Sequence, residues 1–273
     1  MKKTRLVISD LHADIKAFNR ILKVVEDSKF MRDFGVDEIL NLGDVLERGS
    51  NPREVLDVLK ELQREFEVKS VLGNHDEAFL YKMPVSGSGF ESRRAHFKLR
   101  NSDLSFFDNL PQFLIDERER IVVVHGGPLD PERIMPQGLG ASTRWLYQRT
   151  WQRIADVSFF DLSGFHYTPE MAFEHVGENF LILCGHQHFE AAYSGIRKDF
   201  WMVEDILNDV KVEMREYAGF DLELKTIRRE KGFSYLIRVG IAGPEGYRYL
   251  GWNRAHFGLI SKERVYLLSF RLP

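Results

Sequence analysis

Five short apolar runs in this chain end in the same way, on residues able to hold a metal ion or a phosphate. The run within Thr4–Ser9 is followed by Asp10 and His12, and the run within Glu38–Gly43 by Asp44. The run within Lys69–Gly73 is followed by Asn74, His75 and Asp76, and Arg120–Val124 by His125 and a glycine pair. The run within Asn179–Cys184 is followed by Gly185, His186 and His188. Short runs of aliphatic and β-branched residues read as buried strands. Residues 15–27 place Ile15, Phe18, Ile21, Leu22 and Val25 at helical spacing. Residues 52–66 do the same with Val55, Leu56, Leu59 and Leu62 behind Pro52, which suits a first helical turn. Strand, helix, strand, helix, strand predicts βαβ units and a mostly parallel sheet, with a further helix starting near Glu77. In such sheets ligands bind beyond the carboxyl ends of the strands. Five strand ends carrying Asp, His and Asn therefore constrain the chain more than any one of them.

The second half reads differently. Residues 84–94 form a Gly- and Ser-rich loop, residues 92–110 look helical but irregular, and residues 142–156 predict a helix. Residues 199–232 are charged and partly helical by pattern, and residues 256–272 alternate around Ser261–Glu263 as a β-hairpin. No Pro/Gly linker divides the 273 residues, so a single domain over 1–273 is expected, with residues 197–232 as an insertion that packs near the site and restricts substrate size.

Composition narrows the function classes. Lys+Arg number 38 against 41 Asp+Glu, a formal charge of −3, which gives no support for an extended nucleic-acid surface. No apolar stretch is long enough to span a membrane or to form a signal-peptide core. The single cysteine, Cys184, sits in a predicted strand as a small buried residue, so no intrachain disulfide is possible and the cytoplasm is the expected location.

The polar residues at the strand ends have a common chemistry. On an extended backbone His186 and His188 would point the same way and could bind one ion, or be two surface histidines at a strand end. Taken together, imidazole nitrogens, carboxylates and one amide oxygen suit two borderline divalent ions, Mn, Fe, Zn, Co or Ni rather than Ca or Mg. One aspartate can bridge two ions about 3.5–4 Å apart, the spacing used for in-line phosphoryl displacement.

The ordered blocks Asp10-x-His12, Gly43-Asp44, Gly73-Asn74-His75, His125 and Gly185-His186-x-His188 resemble the calcineurin-like metallophosphoesterases. That resemblance implies two packed mixed β-sheets flanked by helices, and two metal ions, Mn2+ foremost. It implies Asp10, His12 and His188 on the first ion, Asn74, His125 and His186 on the second, and Asp44 between them. His75 would face the phosphate rather than ligate. The block from Gly43 to Leu80 resembles the phosphoprotein phosphatase branch, which includes the symmetrical diadenosine tetraphosphate hydrolases. There Arg48 matches a phosphate-gripping arginine, Asn74 also contacts phosphate, and Glu47 stands where an aspartate usually orients the catalytic histidine. Ala13 replaces a usual glycine, and Asp76 a frequent glutamate. Arg153 matches a Trp-x-Arg element of bacterial members and is a second phosphate-binding candidate; Arg144 and Arg149 are weaker rivals. The implied reaction is direct attack on phosphorus by a hydroxide held between the ions, with His75 protonating the leaving oxygen.

The implied substrates are phosphorylated small molecules, nucleotides or phosphoproteins. A phosphodiesterase or nuclease on the same scaffold is the enzymatic alternative, and an inactive interaction scaffold the non-enzymatic one. The latter requires lost ligands, and none of the seven is missing. His96, His166, His175 and His256 read as surface or satisfied core histidines. Trp145, Tyr147, Trp151, Phe159 and Phe160 read as core, and Lys225, Arg228, Arg229 and Lys231 as a solvated basic face.

Overall fold

The computed structural model describes residues 3–81, 94, 97, 99–156 and 163–273; His96, Phe159, Phe160 and most of the loop 84–94 lie outside them. Two mixed sheets pack face to face. The first runs β11 (Val212–Tyr217), β12 (Phe220–Arg228), β15 (Arg264–Arg271), β14 (Arg254–Ile260), β1 (Arg5–Ile8), β2 (Glu38–Asn41), β3 (Glu67–Ser70). The second runs β10 (Trp201–Asp205), β9 (Glu190–Arg197), β13 (Ser234–Val239), β8 (Leu181–Cys184), β5 (Ile121–Val124), β4 (Phe113–Asp116). A small pair, β6 (Arg153–Ile154) and β7 (His166–Tyr167), stands apart. The expected βαβ rhythm is present: β1, β2 and β3 are parallel neighbours, as are β5, β8 and β13.

Side-chain alternation separates the layers. Val7, Leu40, Val123, Leu181, Leu183 and Ile237 fill the space between the sheets. Their neighbours Leu6, Ile8 and Ile39 face outward beneath α1 (Ile15–Val25) and α3 (Pro52–Glu65). On the far face Val122, Val124, Ile182 and Leu236 pack with Phe173 of the helix Pro169–Val176. Because these strands are buried on both faces, their sequences read as continuous apolar runs. α1 begins at Asp14, whose side chain accepts from the Ala17 N–H at 2.9 Å and so satisfies an orphan donor of the first turn. α3 begins at Pro52 and buries Val55, Leu56, Leu59 and Leu62. The short α2 (Ser28–Asp33) lies between α1 and β2, and α4 (Asn74–Leu80) starts directly at the third block.

Two expected helices are otherwise. Residues 142–156 form two 3-10 turns, Ala141–Tyr147 and Arg149–Trp151, and then β6. The Gln152 side chain explains the break: its amide donates to the Leu129 and Tyr147 carbonyls and its oxygen accepts from the Leu129 N–H, which fixes an open turn. Residues 199–232 form β10, β11 and β12 rather than helix. Leu222 and Leu224 are buried in the helix-covered core and Ile227 on the opposite face, between the sheets, where Lys225 reaches Glu190 of β9; charge density masks this two-residue period. This segment supplies edge strands to both sheets, and Tyr217 at its hairpin donates to Asp33 of α2. The hairpin around Ser261–Glu263 forms as expected, β14 against β15.

Candidate metal centre

All five blocks lie just beyond the carboxyl ends of β1, β2, β3, β5 and β8. They are sewn together by the backbone. Asp10 N–H donates to the Gly43 carbonyl at 3.0 Å, His12 N–H to Asp44 at 2.9 Å, and Gly185 N–H to His125 at 2.8 Å. The His186 N–H crosses between the sheets to Asp10 Oδ2 at 3.0 Å. This crossing demands a glycine at 185, because a Cβ there would stand 1.8 Å from Ser9 Oγ.

The side chains form two groups. Asp10, His12 and His188 offer atoms within 4.8 Å of one another, and so do Asp44, His125 and His186. In the first, Asp10 Oδ1 lies 3.3 Å from His188 Nε2 and 3.8 Å from His12 Nε2, and the two imidazole nitrogens are 3.1 Å apart. In the second, Asp44 Oδ2 lies 3.2 Å from His125 Nε2, and Asn74 Oδ1 lies 3.0 Å from the same nitrogen. Asp44 Oδ2 is also 4.0 Å from His12 Nε2, so this one oxygen faces both groups. Two atoms that each bond one ion at about 2.1 Å stand roughly 3.0–3.5 Å apart, close to these spacings.

Three of the donor atoms make no hydrogen bond. Asp10 Oδ1, Asp44 Oδ2 and His186 Nε2 are buried and have no hydrogen-bond partner, although burying a polar atom unpaired is costly. Their companion atoms are fixed: Asp10 Oδ2 accepts from Ser9, Asp44 Oδ1 accepts from the His75 N–H, and His125 Nδ1 donates to the Leu42 carbonyl at 2.8 Å. The last bond sets the tautomer that leaves His125 Nε2 free for a cation. The donor set therefore fits two borderline divalent ions.

Electrostatics agree with a site built for positive charge. Burial opposes ionisation of Asp44, yet His125, His75 and His12 hold its carboxyl well below the usual range. Asp10 is likewise lowered against burial, chiefly through His188. Burial opposes the charge on His125, but Asp44 outweighs it and lifts the group to about 9. Burial depresses His12 and His186, the latter further lowered by Arg153 and His125.

Backbone conformation is unusual here. Asp10, His12, Asp44, His186 and His188 have φ between 45° and 67°, and Ala13, Glu47 and Arg48 between 55° and 71°. Left-handed non-glycine residues are uncommon and cluster at functional sites. The GHQH backbone is thus not extended but makes a left-handed turn. That turn sends His186 and His188 to different groups.

The remaining candidates surround this pair of groups. His75 is 5.1 Å from His12, ring to ring, edge to face. Burial depresses its pKa to about 4, against the pull of Asp44. Its Nδ1 has no hydrogen-bond partner, and the Glu47 carboxylate favours its charged form, less than Asp44 does. The Arg48 guanidinium lies over the Tyr247 ring, 4.9 Å from its centroid. Arg153 is buried, not an exposed helix residue, and its Nε donates to the Ser163 carbonyl. Arg149 donates to the Pro128 carbonyl, and Arg144 is exposed. Trp151, 6.3 Å from His186, and Trp145 line the site's flank instead of the main core. His256 pairs with Glu190 at 2.9 Å, a satisfied histidine as expected.

Gln187, Tyr247 and Trp252 were not singled out from sequence, and Asp76 was noted there without a structural role. Gln187, between the two histidines, accepts from the Ile154 N–H at 2.7 Å and donates back to its carbonyl at 3.0 Å. Asp76 accepts from the N–H groups of Leu46, Val45 and Gly73, bracing the loop that carries Asp44. Tyr247 and Trp252 arrive from the β13–β14 connection. An arginine inside the apolar run of β13, and aromatics after a Gly-Pro turn, were the available signals.

Comparison with known proteins agrees with this geometry. The model of the calcineurin-like phosphoesterase family matches residues 4–213. An uncharacterised protein, MJ0912, of Methanocaldococcus jannaschii is 29% identical over 139 residues; the match covers 48% of this chain and 53% of that protein, about half its length. A metallophosphoesterase from Sphaerobacter thermophilus superposes with a TM-score of 0.59 at 22% identity, covering 98% of this chain and 87% of that one. A serine/threonine phosphatase from Saccharomyces cerevisiae gives 0.51 at 16% identity, covering 99% and 80%. An inferred diadenosine tetraphosphatase gives 0.50 at 14% identity, covering 99% and 94%. At these identities the structural likenesses speak for the fold.

Proposed function

Since the chain belongs to the calcineurin-like phosphoesterase family, we propose that it hydrolyses phosphomonoester or phosphoanhydride bonds at a dinuclear metal centre. The observation that carries this reading is the placement of Asp44 Oδ2, unpartnered and facing both groups of ligands. In this reading Asp10, His12 and His188 hold one ion, Asn74, His125 and His186 hold the other, and Asp44 bridges. The imidazole, carboxylate and amide donor set suits Mn, Fe, Zn, Co or Ni rather than Ca or Mg, and Mn2+ is taken first from the family resemblance. Bound there, the ions would supply Lewis acidity toward a phosphoryl oxygen and lower the pKa of an attacking water.

The chain's own residues do the rest. Arg48 presents a planar fork to two phosphoryl oxygens, and Asn74 and Arg153 add further polar contact. His75 supplies the leaving oxygen with a proton, and the Asp44 carboxylate, with Glu47 behind it, favours its charged form against burial. The substrates are small phosphorylated molecules, dinucleoside polyphosphates or phosphoproteins. Among the described residues no helix is long and apolar enough to cross a membrane. A reducing compartment such as the cytoplasm suits a chain whose sole thiol, Cys184, is buried and held up to about 12 by its surroundings, burial above all.

The test is a screen of the Mn2+-reconstituted protein against p-nitrophenyl phosphate, its bis ester, diadenosine tetraphosphate and phosphopeptides. Turnover of the monoester or the anhydride supports the proposal. Turnover of the bis ester alone replaces it with a phosphodiesterase.

A further inference from the structure

The β13–β14 connection, residues 240–253, folds over the metal-ligand loops. Ile241 N–H donates to the His188 carbonyl at 3.0 Å, Ala242 N–H to Ser9 at 2.9 Å and Gly243 N–H to Asp10 at 2.9 Å. Glu245 continues the attachment, its N–H donating to Asp14 and its carboxylate accepting from Ser50. The turn then presses on Arg48: a Cβ at Gly246 would stand 2.4 Å from Arg48 Cβ. Tyr247 follows and lies among the site's rings, 4.7 Å from His188 and 5.5 Å from His12. Trp252 stacks on it at 5.0 Å and 21°, holding the ring in place.

Tyr247 is 6% exposed, and its hydroxyl is buried without a hydrogen-bond partner. Buried phenols ordinarily find one, and leaving one unmade is expensive. A phenol is neutral near pH 7 and carries one O–H donor, so the unpaired hydroxyl can offer its proton to an anionic acceptor arriving from outside. The Arg48 guanidinium covers the Tyr247 ring face, so the two side chains stand together beside the ligand loops.

We propose that the Tyr247 hydroxyl donates a hydrogen bond to a phosphoryl oxygen of bound substrate, forming with Arg48 one wall of the anion site. The role rests on the phosphoester reading above and adds to it a residue from outside the 4–213 segment that the family model matches. No bond is made or broken at Tyr247. It grips the group being transferred while Trp252 keeps the grip rigid.

The experiment compares the parent protein with Tyr247→Phe, which keeps the ring and its stack, both loaded with Mn2+. Binding of inorganic phosphate is measured by titration calorimetry, with metal content and Tm alongside. The expected result is phosphate affinity weakened about tenfold, the scale of one hydrogen bond to a charged group. Metal content and Tm should match the parent. Equal phosphate affinity in both proteins overturns the role, whatever happens to turnover. Loss of an ion from the variant overturns it too, and makes the hydroxyl a support of the metal ligands. A metal-loaded parent that binds no phosphate sinks the phosphoester reading itself, a result distinct from either.

Discussion

Arg238 of β13 donates from Nη1 to Oε1 of Gln187 at 2.8 Å, inside the protein, between the two histidines of the GHQH turn. The same guanidinium donates through Nε to the Phe189 carbonyl and pairs with Asp156. Arg238 is 1% exposed. One fixed fork thus holds the turn on both sides of His188. Arg238→Ala should destabilise the fold by about 3–5 kcal/mol, the cost of breaking a buried pair. It should also weaken both ions, since both histidines leave this turn. Arg238→Lys, a point charge without the fork, should recover stability more than metal content. Thermal unfolding with metal analysis reads the two effects separately; full metal content in Arg238→Ala counts against the bracing role.

His186 and His188 should act on different ions. His186→Ala is expected to deplete the centre formed by Asp44 and His125, and His188→Ala the centre formed by Asp10 and His12. Metal stoichiometry should fall from two toward one in each, with distinct residual spectra in Co2+-substituted protein. Identical residual spectra would mean that both histidines serve one ion. His75→Ala, by contrast, should keep both ions and lose about 10²–10⁴-fold in turnover, the range for a general acid.

Ala13 carries a left-handed backbone, φ 55°, a conformation that glycine adopts without strain. A Cβ in that conformation costs about 1 kcal/mol or more. Ala13→Gly should therefore raise Tm by about 2–4 °C for a chain of this size. A fall in Tm would show that the methyl's packing outweighs the backbone strain.

Acid stability should depend on Glu38 at the opposite end of the sheets. Arg5, Lys69 and Lys3 reach its carboxylate at 2.6, 2.7 and 2.8 Å. Burial would raise its pKa, but these three cations carry it down from 4.5 to about 2. A lowered carboxylate contributes its full stability above pH 4.5 and loses it as pH falls through about 2. Glu38→Gln should flatten the loss of stability across that window and lower stability near neutrality by about 2 kcal/mol, since it leaves a buried arginine poorly paired. Parallel urea titrations at several pH values would settle it; curves of equal slope for the two proteins would exclude a Glu38 contribution.

Much of this was legible in the residues, and the failures have physical causes. The parallel strands announced themselves because double burial makes them continuous apolar runs, and the ligands because each stops such a run. The pairing of two sheets was not legible from pattern, since Val7 facing the interior and Leu6 facing α1 are equally apolar. Residues 212–228 hid their alternation under charge. The direction of His186 and His188 depended on backbone φ, which non-glycine residues do not advertise. Tyr247 stayed invisible because its partner loops lie more than two hundred residues earlier in sequence for His12, a contact that only the sheet order creates.

That sheet order has a consequence for anyone handling pieces of the gene product. All seven proposed ligands lie within the first 188 residues, and the family model ends at 213. Yet β14 is the neighbour of β1, and β13 stands between β8 and β9. A fragment cut at 213 would keep every donor atom and lose the strands that flank the first and last of them. The smallest heritable unit of the proposed site is thus set by the lateral order of strands, not by the span of its candidate ligands.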